Sequence, residues 1–377
     1  MAEALTGLLA DLVRVNSVNP SLVPGSPGEA DLAQFIRAWL STHGVPSETV
    51  EAAPGRPSVL ARVPGTGGGR SLILNAHLDT VGTDGMTAPF TPRVHGGRLY
   101  GRGAYDMKAG LAACLLTLLD VRSDRLRGDV ILAAVADEEH ASLGMQAVLE
   151  RVTADAAIVT EPTELRVAVA HKGFTWHEII TQGRAAHGSR PDLGVDAIAH
   201  MGRVLGQLEA LGRELGQRPP HPLLGHGSVH ASLISGGQEL SSYPERCTLL
   251  VERRTLPGET PEAVTQEITA RLSALAADPD FHAEHRLTLA RDAFGIAPDA
   301  PIVQSLQAAA THVLGQRPAV IGQSFWMDSA LLAAAGIPTV IFGPCGGGAH
   351  ATEEWVDLSS AEQCRQTLTA TVRSFCA

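Results

Sequence analysis

At 377 residues the chain is long for a single domain, and two are expected. Hydrophobic residues make up 44% and aromatics only 4%, so a sizeable core is available but must be built mainly from Leu, Val, Ile and Ala. A net charge of −11 argues against a general nucleic-acid binder. The five cysteines, odd in number and without a Cys-x-x-Cys pair, suggest neither a disulfide framework nor a cysteine zinc site and fit a reducing cytoplasm.

In chain order, Leu5, Leu8, Leu9, Leu12 and Val13 fall on one helical face, interrupted by Asp11 and Arg14, and the segment does not read as a signal peptide. No apolar run reaches membrane-spanning length. Leu32, Phe35, Ile36, Trp39 and Leu40 make a second helical stripe. Apolar runs at 71–76, 129–136, 156–160 and 338–342 predict strands covered on both faces, and Leu111, Leu115 and Leu118 predict a helix from Lys108 to about Leu119. This alternation is that of an α/β domain.

The rhythm changes between 174 and 290, where the pattern predicts strand (174–182), helix (193–215), strand (228–235), strand (246–254), helix (259–276) and strand (283–290). That β-α-β-β-α-β order is a two-layer α+β module complete in itself. The α/β pattern returns near 300. The expected organisation is therefore a catalytic domain over 1–173 and 291–377 with an inserted module at 174–290. The Gly/Pro-rich stretches at 64–69 and 216–227 read as loops within domains.

Reactive residues gather just past the apolar strands, where open α/β sheets bind ligands. His77-Leu78-Asp79 follows the first, Asp137-Glu138-Glu139 the second, and Glu161-Pro162-Thr163 the third. A glycine-rich turn and His350 follow the fourth, and Asp106 precedes the helix at 108. Two imidazoles with several carboxylates suit Zn, Co or Mn better than a soft metal. Two such cations can polarise a carbonyl and generate hydroxide near neutral pH, with a spare carboxylate to carry the proton. Each piece also has a plainer meaning: a surface His-x-Asp pair, acids at a helix start, a strand-ending turn at Glu161-Pro162, a loop histidine at 350. His200, His221, His230 and His312 read as surface or ordinary core residues, and Cys345 as a small loop filler.

Taken together, these pieces resemble a family. The shared stretches are His77-Leu78-Asp79, Gly101–Lys108, Asp137-Glu138-Glu139, Glu161-Pro162-Thr163, His171-Lys172-Gly173, Ala186-His187-Gly188-Ser189, Glu252-Arg253-Arg254 before Leu256-Pro257-Gly258, and Ala349-His350. In that order, over nearly the whole chain, they are similar to the zinc-dependent deacylases and exopeptidases that include acetylornithine deacetylase, succinyl-diaminopimelate desuccinylase, aminoacylase and glutamate carboxypeptidase.

The resemblance implies two Zn2+ per chain, with Co2+ or Mn2+ as alternatives. His77 and Glu161 would hold one ion, Glu139 and His350 the other, and Asp106 would bridge them. Glu138 would be the general base and then the acid, and Asp79 would accept a hydrogen bond from His77. The Asp106–Met107 peptide bond is expected to be cis. The inserted module would be a lid and dimerisation domain, its His187 reaching the partner's site as an oxyanion donor. Arg254 would bind a substrate carboxylate, unless it simply pairs with Glu252, and a structural role for His187 in its own turn is the rival there.

Ser241 stands where relatives often carry Asn, and Ser324-Phe325-Trp326-Met327-Asp328 where many have a Gly-Gly-Thr-Asp-like stretch, so Trp326 is expected to reshape the pocket. The implied activity is removal of an acyl group from an N-acyl amino acid, acetylornithine deacetylase-like. The alternatives are desuccinylation and di- or carboxypeptidase action. A non-catalytic metal-binding relative is disfavoured because Glu138 and every ligand are present, and no Gly-x-Ser-x-Gly elbow supports a serine hydrolase. The expected protein is a cytoplasmic homodimer acting on a small-molecule substrate, without nucleic-acid or membrane partners.

Overall fold

Burial on both faces explains why the central strands carry no polar alternation: every residue of Leu72–His77, Val130–Val135 and Ala156–Val159 is buried. These strands form the middle of a mixed sheet in the computed structural model, which describes residues 2–377. Its order is Ser47–Glu51, Pro57–Val63, Val130–Val135, Leu72–His77, Ala156–Val159, Thr339–Ile341 and Val167–His171. The first pair is an antiparallel hairpin, and Pro57–Val63 is antiparallel to Val130–Val135. From Val130–Val135 to Thr339–Ile341 the neighbours are parallel, so their carboxyl ends lie at one rim.

Helix Ala109–Val121 packs against Leu358–Phe375 and Ala2–Arg14, with Leu9, Leu12, Leu111, Leu115, Leu368 and Val372 in one fully buried cluster. At about 25 cal/mol per Å2, each such side chain contributes about 1.5–3 kcal/mol. A small antiparallel sheet, ordered Gly346–Gly347, Trp355–Asp357, Arg98–Tyr100 and Arg93–His95, joins the approach to Asp106 with the segment carrying His350. Its register pairs Trp355 with Tyr100.

The chain divides into two compact units. The first has its initial stretch up to Val169 and resumes at Ile296–Ile321 and Met327–Ala377; the second comprises Ala170–Gly295 and Gly322–Trp326. Met1, the first residue of the expected catalytic segment, lies outside the described residues.

The second unit has the β-α-β-β-α-β order. Its antiparallel sheet runs Ser228–Gly236, Arg246–Thr255, Gly173–Gln182, His282–Arg291. Helices Ala197–Leu215 and Pro261–Leu275 cover one face through Met201, Val204, Leu208, Val264 and Ile268. The first helix begins four residues later than its apolar periodicity suggests. Arg184 and Val195 form an isolated bridge, and the Asp196 carboxylate accepts the Ala199 N–H at 2.9 Å as the cap. Leu193 is left exposed. Pro261 occupies the first turn of the other helix, behind the Thr260 cap.

Candidate metal centre

The ends of the parallel strands bring the carboxylates to the imidazoles. His77 is the last residue of its strand and pairs with Val135, after which Asp137, Glu138 and Glu139 turn across the rim. Glu161 lies two residues beyond the neighbouring strand. Asp106 sits in a π-turn, Ala104–Lys108, whose Asp106–Met107 bond is cis. This turn is anchored from beneath. The Lys108 ammonium is buried and donates to the carbonyls of Leu12 and Val15 at 3.1 and 2.8 Å, and burial pushes its pKa down to about 7.

Asp106 presents one carboxylate oxygen to each histidine: Oδ1 lies 3.1 Å from His77 Nε2, and Oδ2 lies 3.3 Å from His350 Nε2. Glu161 Oε1 and Glu138 Oε2 approach His77 Nε2 at 3.6 and 4.0 Å, and Glu139 Oε2 approaches His350 Nε2 at 3.1 Å. His350 itself has φ of 60° and stands on a turn that starts at Gly348. A Cβ on Gly348 would lie 1.8 Å from the Glu353 carbonyl oxygen, so only glycine allows this reversal.

Four acids in so little space repel one another. Burial first, and then Glu161, push the Glu138 carboxyl well above its usual range; burial and Asp106 do the same to Glu161 and raise Glu139. Burial also works to raise Asp106, but its bonds to His350 and His77 hold it below the usual carboxylate range. His350 is pushed up to about 10 by its bonds to Asp106 and Glu139. Burial opposes protonation of His77, yet Asp106 and Glu161 raise it.

Cations would satisfy this excess of negative charge. The potential ligand atoms of His77, Glu138 and Glu161 lie within 4.8 Å of one another, and so do those of His77, Asp106 and Glu139. Glu139 Oε1 is buried without a hydrogen-bond partner among the described residues, an orphaned acceptor on a carboxylate of the cluster. The donor set and this vacancy in its bonding fit hard to borderline divalent ions.

Asp79 differs from expectation. The His77 Nδ1–H donates to the Asp79 backbone carbonyl at 2.9 Å, while the Asp79 carboxylate is 3.7 Å from Nδ1. The carboxylate instead accepts the backbone N–H groups of Glu138 and Glu139, both at 3.1 Å, and the Asn19 amide at 2.8 Å. The acid aims the two glutamates because its own backbone already occupies the imidazole.

Asn19 opens a buried polar chain that the sequence motifs do not announce. It also donates to Asp137 at 3.1 Å. Arg56 donates to Asn19 at 3.2 Å, to Asp137 at 2.9 Å and, by two bonds of 2.6 and 2.7 Å, to Glu29. Glu354 is the other residue missed: it accepts N–H groups of the Asp106 turn. No local signal marks these residues: Asn19 lies among Asn16, Ser17 and Ser21, and Arg56 between Gly55 and Pro57, both in stretches that read as ordinary loop.

His187, Ser241 and Arg254 belong to the second unit. His187 is exposed, with Nδ1 2.8 Å from Ser189 Oγ. Ser241 Oγ donates to Glu239 at 3.3 Å. The Arg254 guanidinium pairs with Glu252 at 2.6 Å and lies over the Phe174 ring at 5.4 Å. Trp326 is in the same unit, its indole N–H donating to the Asp292 carbonyl at 3.2 Å and its ring edge-on to His171 and Phe174.

Comparison with known proteins identifies the family. The family described as Peptidase family M20/M25/M40 matches residues 73–374. The chain belongs to this M20 peptidase family. It is 30% identical over 390 residues to acetylornithine deacetylase of Myxococcus xanthus, covering 99% of this chain and 98% of that one. It is 28% identical over 403 residues to N-formyl-4-amino-5-aminomethyl-2-methylpyrimidine deformylase of Halalkalibacterium halodurans, covering 98% and 94%. Among solved structures, the Bacillus subtilis YXEP protein, described as a dinuclear metal binding peptidase of the M20 family, superposes with a TM-score of 0.78 at 18% identity, covering 100% and 98%.

The M20 assignment carries the α/β catalytic domain with its smaller α+β companion, and it makes this chain a hydrolase of amide or peptide bonds. The cluster of histidines and carboxylates at the strand ends is one that could hold metal ions. No helix among the described residues is long and apolar enough to cross a membrane.

Proposed function

We propose that this M20 hydrolase is a two-metal amidohydrolase that removes the acyl group from an N-acyl amino acid, in the manner of acetylornithine deacetylase. The observation that carries the reading is Asp106, whose two oxygens face different imidazoles at 3.1 and 3.3 Å, the disposition of a carboxylate shared by two cations. His77 and Glu161 would hold one cation, Glu139 and His350 the other. Zinc is the proposed ion, with cobalt or manganese as substitutes. When bound, such a pair polarises the amide carbonyl and lowers the pKa of water.

The remaining work falls to the chain's own side chains. Glu138 is not needed as a ligand and serves as the base. It takes a proton from the attacking water as oxygen bonds to the carbonyl carbon. It then delivers that proton to the amide nitrogen as the C–N bond breaks, leaving a free amine and a carboxylic acid whose remaining proton is lost to solvent or to the amine. Asp79 keeps Glu138 and Glu139 aimed through their backbone N–H groups. Arg254 would exchange its Glu252 pairing for the substrate carboxylate, for which a planar fork is suited. Ser241 would contact substrate from the same unit. His187 would donate to the oxyanion of a partner chain's site, making the active form a homodimer with the inserted module as lid and dimerisation surface. A cytoplasmic setting fits the free cysteines at 114, 247, 345, 364 and 376.

The metal-loaded protein should be assayed against N-acetyl, N-succinyl and N-formyl amino acids and dipeptides. The reading expects the highest kcat/KM on an N-acetyl amino acid. Turnover of dipeptides alone would overturn the acyl assignment in favour of peptidase action.

A further inference from the structure

We propose that Glu354 is a positioning residue for the metal centre, its carboxylate holding the Asp106 turn and the His350 turn in one fixed relation. The inference rests on the reading of Asp106 and His350 as ligands. Glu354 is 1% exposed and accepts four hydrogen bonds. Oε2 takes the Arg102 Nη1–H at 2.7 Å and the Gly103 N–H at 2.9 Å. Oε1 takes the N–H groups of Tyr105 at 2.9 Å and Asp106 at 3.0 Å. Its backbone carbonyl accepts a fifth donor, the Gly101 N–H, at 3.1 Å.

A simple buried ion pair would need only Arg102. Three of the four carboxylate donors are instead backbone N–H groups at the start of the π-turn, which lie too early in it to find helical partners. The carboxylate supplies those partners and thereby sets the path of the backbone that carries Asp106. Arg102 extends the clamp, donating to the Ala351 carbonyl at 3.0 Å and the Gly82 carbonyl at 3.1 Å. Ala351 follows His350 directly. One carboxylate and one guanidinium therefore tie residue 82, the stretch 101–106 and the stretch 350–354 together. The pairing of Trp355 with Tyr100 gives the coarse register of these segments, and Glu354 gives the fine one.

Shared coordination makes the fine register matter. A carboxylate that serves two cations must meet both shells at once, and groups that orient ligands from behind typically change metal affinity or activity about 10–100-fold. Glu354→Gln keeps the shape but replaces one acceptor oxygen with a donor NH2. Whichever way the amide turns, one pair of donors, Arg102 with Gly103 or Tyr105 with Asp106, loses its acceptor.

The test is a cobalt titration of metal-stripped protein, read by calorimetry and by the visible Co2+ absorption band, alongside circular dichroism and steady-state kinetics. Glu354→Gln is expected to fold and to bind Co2+ about 10–100-fold more weakly with an altered band. It should also lose kcat while KM stays within about threefold. Parent-like affinity and band in the folded variant would overturn the role of Glu354. Should Glu354→Gln not fold, Arg102→Lys carries the same test. It keeps a positive charge beside Glu354 but cannot span Ala351 and Gly82 together. Weakening by at least about threefold supports the clamp, and unchanged cobalt binding refutes it. Absence of cobalt binding by the parent protein would sink the metal reading itself, a different result from parent-like binding in the variant.

Discussion

Arg56→Met removes the cation at the centre of the polar chain behind Glu138 and Glu139. Arg56 is 8% exposed, and both of its acidic partners, Glu29 and Asp137, have fully buried side chains. Methionine fills much of the volume, so the loss is one of charge and hydrogen bonds. Five bonds go: two to Glu29, and one each to Asp137, Asn19 and Ser21. Two buried carboxylates are left uncompensated, although Glu29 keeps the Asp137 N–H at 3.2 Å. Breaking a buried pair from one side typically costs about 3–5 kcal/mol, and this site belongs at the upper end because one cation serves two acids.

The cost must also depend on pH. Burial already raises the Glu29 carboxyl against the opposing pull of Arg56. A carboxyl whose folded pKa lies above its unfolded value binds protons more readily when folded, so it favours folding at low pH and loses that contribution as pH rises through the folded pKa. Without Arg56 the shift grows. Denaturant unfolding of parent and variant should therefore show a deficit of about 4–5 kcal/mol at pH 8 that narrows toward pH 5. A deficit below about 1 kcal/mol, or one that does not change with pH, would refute the claim that this chain of groups is a buried charge network.

Glu138→Gln should take up metal as the parent does and lose at least about 10²–10⁴-fold in kcat, checked by elemental analysis and turnover; near-normal turnover would reject Glu138 as the base. His187→Ala should lose about 10²–10³-fold, and mixing it with Glu138→Gln should restore activity once subunits exchange, because one site of each mixed dimer is intact. No rescue despite proven exchange would refute action across the interface. In the second unit, His177 and His285 share a bond of 2.9 Å between ring nitrogens, and burial lowers both, His177 to about 4. Groups whose folded pKa is depressed below the unfolded value give stability that is present above about 6.5 and lost as pH falls toward about 4, so His285→Gln should flatten acid unfolding over that range.

Apolar runs reveal the strands ending at His77, Val135 and Val159 because their burial forbids alternation, and the reactive triplets beyond them are legible for the same reason. The β-α-β-β-α-β order of the second unit was legible as a change of period. Helix starts were less so: the apolar pattern from 193 continues past the point where Asp196 caps the backbone, since periodicity reports faces and not hydrogen bonds. The supporting shell was least legible. Glu354 acts on Gly103, Tyr105 and Asp106 from about 250 residues away, and nothing local marks it apart from a surface acid. Asp79 shows a subtler limit. Its place beside His77 was readable, but whether carboxylate or carbonyl meets the imidazole depends on a two-residue turn that only coordinates resolve.

The central claim is that Asp106 is shared by two cations, and metal uptake by the metal-stripped protein tests it most directly. The parent chain titrated with Zn2+ or Co2+ should take up two ions per chain, recover amide hydrolysis as it does so, and lose both to a chelator. Asp106→Ala should fail to hold the pair. No uptake by the parent, or uptake of two ions that Asp106→Ala leaves unchanged, would contradict the account.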